Sequence, residues 1–135
     1  LVVKYNQSTK DGATDIDTTN MGAKFTMGAM SLIVSSMTKE QGTTNDEEGT
    51  GFGIKYDMGG GLTIAASATE VEDSGTTAAG ENEKYTANIG EAVYTVAPGL
   101  KAKVTYTDYE YKDGGTANLG DDSGQITQLT LTAAF

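Results

Sequence analysis

The sequence predicts an all-β fold, an antiparallel up-and-down meander of about eight strands that forms a transmembrane β-barrel or a segment of one. Three observations predict it. Apolar and polar residues alternate with period two along stretch after stretch, as strands with one apolar and one polar side require. Short turns alternate strictly with long polar segments, the arrangement of a membrane barrel with tight turns on one side and loops on the other. The last stretch, residues 125–135, puts Leu129, Leu131, Ala133 and Phe135 on one face and Gln128, Thr130, Thr132 and Ala134 on the other, and stops on the aromatic ring. An edge strand of a soluble sandwich would alternate in the same way, so this stretch alone leaves both architectures open.

The elements follow in order. Leu1, Val3 and Tyr5 share one side of a first strand, with Val2 and Lys4 on the other. Residues 6–17 are polar and contain the turn signal Asp11-Gly12. Thr19, Met21, Ala23, Phe25 and Met27 form an apolar face opposite Gly22, Lys24 and Thr26, and Gly28-Ala29 is a short turn. Met30, Leu32 and Val34 resume the face, while Ile33 and Met37 break the pattern. A polar loop is expected over 40–49. Phe52, Ile54, Tyr56 and Met58 then alternate with Gly51, Gly53, Lys55 and Asp57, and Gly59-Gly60-Gly61 is a tight connection to Leu62, Ile64, Ala66 and Ala68.

After a third polar loop, over 70–83, the strand 84–97 changes phase. Tyr85, Ala87 and Ile89 have one parity and Ala92, Tyr94 and Val96 the other. A β-bulge at Gly90-Glu91 would restore the apolar face and keep Glu91 out of lipid. Pro98-Gly99 turns into Leu100, Ala102, Val104 and Tyr106, which alternate with Lys101, Lys103, Thr105 and Thr107, and a fourth polar loop spans 112–124. The apolar segments are about nine residues, the length with which a tilted strand crosses a bilayer.

Composition bounds the chemistry. The 135 residues include no cysteine and no histidine, so thiol chemistry and the usual imidazole acid–base and zinc chemistry are absent. No run reaches the ~18 apolar residues of a membrane helix. Nineteen acidic residues against nine lysines give a net charge of −10, which argues against nucleic acid as a partner. The chain begins inside a strand, as a piece of something longer would. One segment, 1–135, is expected, with no internal domain boundary.

The faces opposite the apolar ones carry glycine, serine and threonine together with Lys24, Lys55, Lys101 and Lys103. A closed barrel of eight strands must fill its interior with side chains, and these residues fill little volume. Small polar residues suit the wall of a wide water-filled channel instead. This favours a segment of a large barrel over a complete small one.

Here the sequence resembles a known family. Gly51-Phe52-Gly53-Ile54-Lys55-Tyr56-Asp57-Met58-Gly59-Gly60-Gly61-Leu62-Thr63 and Ala92-Val93-Tyr94-Thr95-Val96-Ala97-Pro98-Gly99-Leu100 resemble the strand–turn–strand rhythm of Gram-negative general porins, and the terminal Phe135 resembles their assembly signal. Each pattern is degenerate, and together they cover much of the chain. The resemblance implies a homotrimeric outer-membrane barrel of about sixteen strands, of which this chain is similar to the C-terminal half. It implies passive diffusion of ions and small hydrophilic solutes, with no catalysis and no cofactor. Leu129, Leu131 and Ala133 with Phe135 would direct assembly. The loop that narrows the family's pore has no counterpart assigned here.

The candidate constellations are few. Asp46-Glu47-Glu48 and Asp121-Asp122 have oxygen ligands that suit calcium or divalent bridges to lipopolysaccharide; solvated loop acids are the plainer reading, and neither group has EF-hand spacing. Asp108 and Glu110 are a carboxylate pair of the kind glycosidases use, but a polar and aromatic rim with Tyr109 and Tyr111 explains them better. The stronger signal is that Lys4, Lys24, Lys55, Lys101 and Lys103, with Asp57, all point away from the apolar faces. They are the expected pore-lining residues; the alternative is that strand lysines snorkel or guard an edge. Outer-membrane lipid, lipopolysaccharide and small hydrophilic solutes are the expected partners. A non-conducting small barrel acting as an anchor or adhesin, and a secreted acidic β-sandwich that binds a partner, are the alternatives in other functional classes.

Overall fold

The computed structural model describes residues 1–11, 15–41, 45–75, 82–114 and 120–134. Eight strands follow one another: β1 (Val2–Lys10), β2 (Ile16–Met27), β3 (Met30–Gln41), β4 (Asn45–Gly59), β5 (Leu62–Gly75), β6 (Asn82–Ala97), β7 (Leu100–Lys112) and β8 (Asp122–Ala133). They pair antiparallel in sequence order within one sheet. Among the described residues β1 and β8 have one neighbour each and do not meet, so the sheet is open. The chain is all-β, a meander as the alternation predicts.

The strands are longer than the hydropathy pattern suggests. β1 runs to Lys10, β3 to Gln41 and β5 to Gly75, through much of the polar sequence expected to be loop. The apolar run of β7, from Leu100 to Tyr106, is correspondingly shorter than the expected nine residues, because Asp108 and Glu110 continue the same face. Backbone pairing continues past the point where side chains stop being apolar, since ladder hydrogen bonds do not depend on side-chain polarity.

The register assigns the faces. Leu129 pairs with Val104, Val104 with Ala92, Ala92 with Ile64, Ile64 with Tyr56 and Tyr56 with Met30. Paired residues point to the same side of a sheet, so these residues define a continuous apolar face. None of its described residues is buried: Leu129 and Leu131 are each 68% exposed, and the one buried hydrophobic residue among those described, Ala87 at 4%, lies on the opposite face. A soluble β-sandwich needs a second layer on its apolar face; the described strands form one layer.

The apolar band crosses the hydrogen-bonded rows obliquely. One row reads Tyr5, Met21, Ser36, Thr50, Glu70, Thr86, Glu110, passing from apolar at β1 and β2 to charged at β5 and β7. A level apolar band on tilted strands produces this slant, and strand tilt is what a closed barrel requires. Aromatic rings edge the band, with Tyr5, Phe52 and Tyr106 toward one rim and Phe25, Tyr56 and Tyr94 toward the other, as at the two interfaces of a membrane barrel.

The three short turns are stitched to the next strand. Asp57 N–H donates to the Ala29 carbonyl at 2.9 Å, Thr95 N–H to Gly61 at 2.9 Å and Ala134 N–H to Gly99 at 2.7 Å. Gly59, Gly60 and Gly61 have φ of 75°, 61° and 83°, a run of left-handed residues that glycine adopts without steric cost. The ladders shift register beside two of the turns, between Asp57 and Gly59 and between Thr95 and Ala97.

The expected bulge at Gly90-Glu91 is not there. Ala66 pairs with Gly90 and Ala65 with Glu91 on one side, Tyr106 with Gly90 and Thr105 with Glu91 on the other, without a break. The regular ladder already carries Glu91 to the non-apolar face. The phase change is absorbed by composition: Thr86, Asn88 and Gly90 continue the apolar face near its rim, while Tyr85, Ala87 and Ile89 lie on the opposite one.

Gly99 has φ of 79°, and a Cβ there would lie 2.6 Å from the Ala134 carbonyl oxygen. Gly99→Ala should therefore destabilise the docking of β8 by about 1–3 kcal/mol, seen as a lower temperature for conversion of the compact folded band on detergent gels. Gly28→Ala, with φ of 58° but open space around it, should cost only about 1 kcal/mol.

Candidate functional site

The face opposite the apolar band gathers the lysines. Lys4 pairs with Gly22; Lys24 with Val2 and Ile33; Lys55 with Ser31 and Ala65; Lys101 with Thr95 and Thr132; Lys103 with Val93 and Thr130. All five occupy one side of the sheet. Lys10 and Lys39 share it, which the sequence reading missed because they lie in polar stretches without an apolar neighbour to set the phase. Asp57 is on the same side, but its Oδ1 accepts a hydrogen bond from Gly59 N–H at 2.9 Å and so braces the glycine turn. On the apolar side, Leu129, Leu131 and Ala133 of β8 oppose Val104, Ala102 and Leu100 of β7. Phe135 lies outside the described residues.

Charge on the lysine-bearing face is sorted along the strands. Glu47, Asp73, Glu83 and Asp122 lie toward the ends remote from the short turns, where Lys39 Nζ meets Glu47 Oε2 at 3.0 Å. Lys55, Lys101 and Lys103 lie toward the short turns. Glu91 is set among these last three, and its Oε2 is 3.3 Å from Lys103 Nζ. Both side chains are partly exposed, so the pair contributes at most about 1 kcal/mol. Lys55 and Lys101 have no ion-pair partner among the described residues, and the local balance is positive.

Between the two charged zones the wall is thin. Gly49, Gly51 and Gly53 of β4 lie beside larger residues of β3: a Cβ at Gly49 would sit 3.5 Å from Met37 Cε, one at Gly51 2.6 Å from Ser35 Oγ, and one at Gly53 3.9 Å from Ile33 Cβ. Ile33 and Met37, which break the alternation in sequence, thus use the room that glycine leaves on the adjacent strand. Tyr109 does the same over Gly124, where a Cβ would meet the phenol oxygen at 2.9 Å and ring carbons at 3.1 Å. Tyr85 and Tyr111 are directly paired one row further out.

The sheet is thus one layer, aromatic-edged and apolar on one side and small, polar and charged on the other. The sequence profile of the Gram-negative porin family matches residues 2–114. The chain belongs to that family. No match was found among curated proteins or among solved structures.

Among the described residues the remaining acidic constellations do not converge. Asp46 and Glu48 point to the apolar side of β4 and Glu47 to the other, where it is paired with Lys39. The acidic run is therefore strand rather than loop, and its carboxylates do not converge; among the described residues no cluster of three metal-ligating side chains forms. Asp121 Oδ1 instead accepts a hydrogen bond from Asp113 N–H at 3.2 Å. Asp108 and Glu110 point to the apolar side, while Tyr109 and Tyr111 point to the other.

Tyr109 closing over Gly124 generates a specific coupling. Gly124→Val should displace the ring and destabilise the porin by about 1–3 kcal/mol. In Tyr109→Ala the same valine should be tolerated better, so a double-mutant cycle followed by thermal unfolding of the folded band should give a non-zero interaction energy.

Proposed function

We propose that this chain forms part of the wall of a water-filled outer-membrane channel for passive diffusion of ions and small hydrophilic solutes, as a segment of a larger barrel. The observation that carries the reading is the division of one layer of sheet into two incompatible faces. The exposed apolar band, with its aromatic rims, suits lipid. The opposite face, with Gly51, Gly53, Ser35, Ser67 and Thr69 amid charged residues, suits water. In a bilayer an open edge is costly, because each unpaired backbone group loses water without gaining a partner. We infer that the edges of β1 and β8 are completed by further strands, and that the small residues of the inner wall leave the lumen open. Membership of the Gram-negative porin family supports a channel rather than an enzyme and implies the outer membrane.

On this reading Lys4, Lys24, Lys55, Lys101 and Lys103 line water, and Leu129, Leu131 and Ala133 face lipid or a neighbouring subunit of a homotrimer. Lipopolysaccharide is the proposed outer-leaflet partner. Its contacts would be the polar extensions above the band, where Lys84 already lies 3.0 Å from Glu70 and 2.8 Å from Glu72 on the lipid-facing side.

Wall charges act on a passing ion within about one Debye length, ~8 Å at physiological salt. Glu91 already offsets Lys103, and Lys55 and Lys101 are among the wall lysines without an ion-pair partner among the described residues. Replacing both with glutamate in the full-length protein, reconstituted in a planar bilayer, should move the reversal potential toward cation preference. The shift should be a measurable part of the ~59 mV that perfect selectivity gives for a tenfold monovalent gradient. Glu91→Gln should move it the other way. Unchanged selectivity in a surviving channel would reverse the assignment of faces.

A further inference from the structure

The inner wall has one recess whose chemistry is not explained by wall charge alone. It holds about 260 Å³ and is floored by Gly53, Ala65 and Ser67. Two hydrogen-bonded rows define it. In one, Ile33 and Ile89 stand at either end of Gly53 and Ser67. In the next, Lys55 and Glu91 stand at either end of Ala65. The recess therefore has an apolar rim along one row and a cation facing an anion along the other.

We propose that this recess is a subsite for a small zwitterion with an apolar side chain, an α-amino acid of the leucine type, in transit through the channel. The inference rests on the channel reading. Lys55 and Glu91 are two strand spacings apart, about 10 Å between backbones, and they form no ion pair with each other among the described residues. A carboxylate is received by the Lys55 ammonium. An ammonium group is received by Glu91, which has about four acceptor sites and uses one oxygen on Lys103. The apolar side chain then lies over Gly53 and Ser67 between the two isoleucines. The volume is below the ~300–1,000 Å³ of sites that enclose drug-sized ligands, which limits the occupant to a single small molecule. A simple anion would use Lys55 and leave Glu91 repelling it; a simple cation would meet the reverse.

The floor supplies the test. A Cβ at Gly53 meets nothing closer than 3.6 Å, so Gly53→Ala fits the wall, while Gly53→Leu fills the recess. The full-length protein in planar bilayers carries a KCl current, and L-leucine is titrated into both chambers. The wild type and Gly53→Ala should show a saturating reduction of that current. Leucine amide, which lacks the carboxylate, and 4-methylpentanoate, which lacks the ammonium, should need at least about tenfold higher concentration, the cost of one lost charged hydrogen bond. Gly53→Leu and Lys55→Gln should conduct KCl without saturation by leucine. A linear response in the wild type, or saturation unchanged in Lys55→Gln, overturns the subsite and leaves the channel standing. A wild type that carries no KCl current overturns the channel reading and the subsite with it.

Discussion

A single layer of β-sheet buries almost nothing in itself, and everything else in this protein follows from that. With one buried hydrophobic residue among those described, the usual driving force of folding, removal of apolar surface into a shared core, has nowhere to act inside the chain. The apolar face has to be met by something other than water. Lipid is the medium that accepts a broad face of Leu, Ile, Phe and Met side chains without specific packing. The lysines and small polar residues fall on the other face because side chains alternate with period two.

Where a core would position side chains, backbone geometry does so here. Each short turn is held to the following strand by a hydrogen bond from that strand's amide, which fixes the stagger of neighbouring hairpins and therefore the slant of the apolar band. The inner wall is shaped by subtraction. Glycines on β4 make room for Ile33 and Met37, and Gly124 makes room for Tyr109, so the lysine-bearing surface alternates between bare backbone and single large side chains. Recesses in such a wall arise from missing side chains, and their chemistry comes from what stands at the rim.

Much of this was legible in the sequence, and the exceptions have physical causes. Phe52, Ile54 and Tyr56 against Gly53 and Lys55 declare both strand and facing, because an apolar neighbour sets the phase of each lysine. The same test fails beyond the band. Residues 6–10 and 72–74 are polar on both faces, and a polar strand reads as a loop. On β6, the parity of Tyr85, Ala87 and Ile89 suggests a bulge only if the lysine-bearing face is polar throughout; it is mixed, and the ladder stays regular. The Lys103–Glu91 pair depends on the register between β6 and β7, which no spacing within one strand encodes. Asp57 has the facing its parity predicts, yet its carboxylate is engaged by Gly59 N–H, a local bond invisible to a parity argument.

The division of the two faces between lipid and water can be measured directly, because residues 1–135 contain no cysteine and each introduced thiol is unique among them. Single cysteines at consecutive positions 54, 55 and 56 of β4, and at 103 and 104 of β7, would be exposed in folded, membrane-embedded protein to a charged, membrane-impermeant thiol reagent. The account predicts rapid labelling at 55 and 103 and protection at 54, 56 and 104. Equal labelling at all five positions, or protection at 55 and 103 with labelling at 54 and 104, would contradict it.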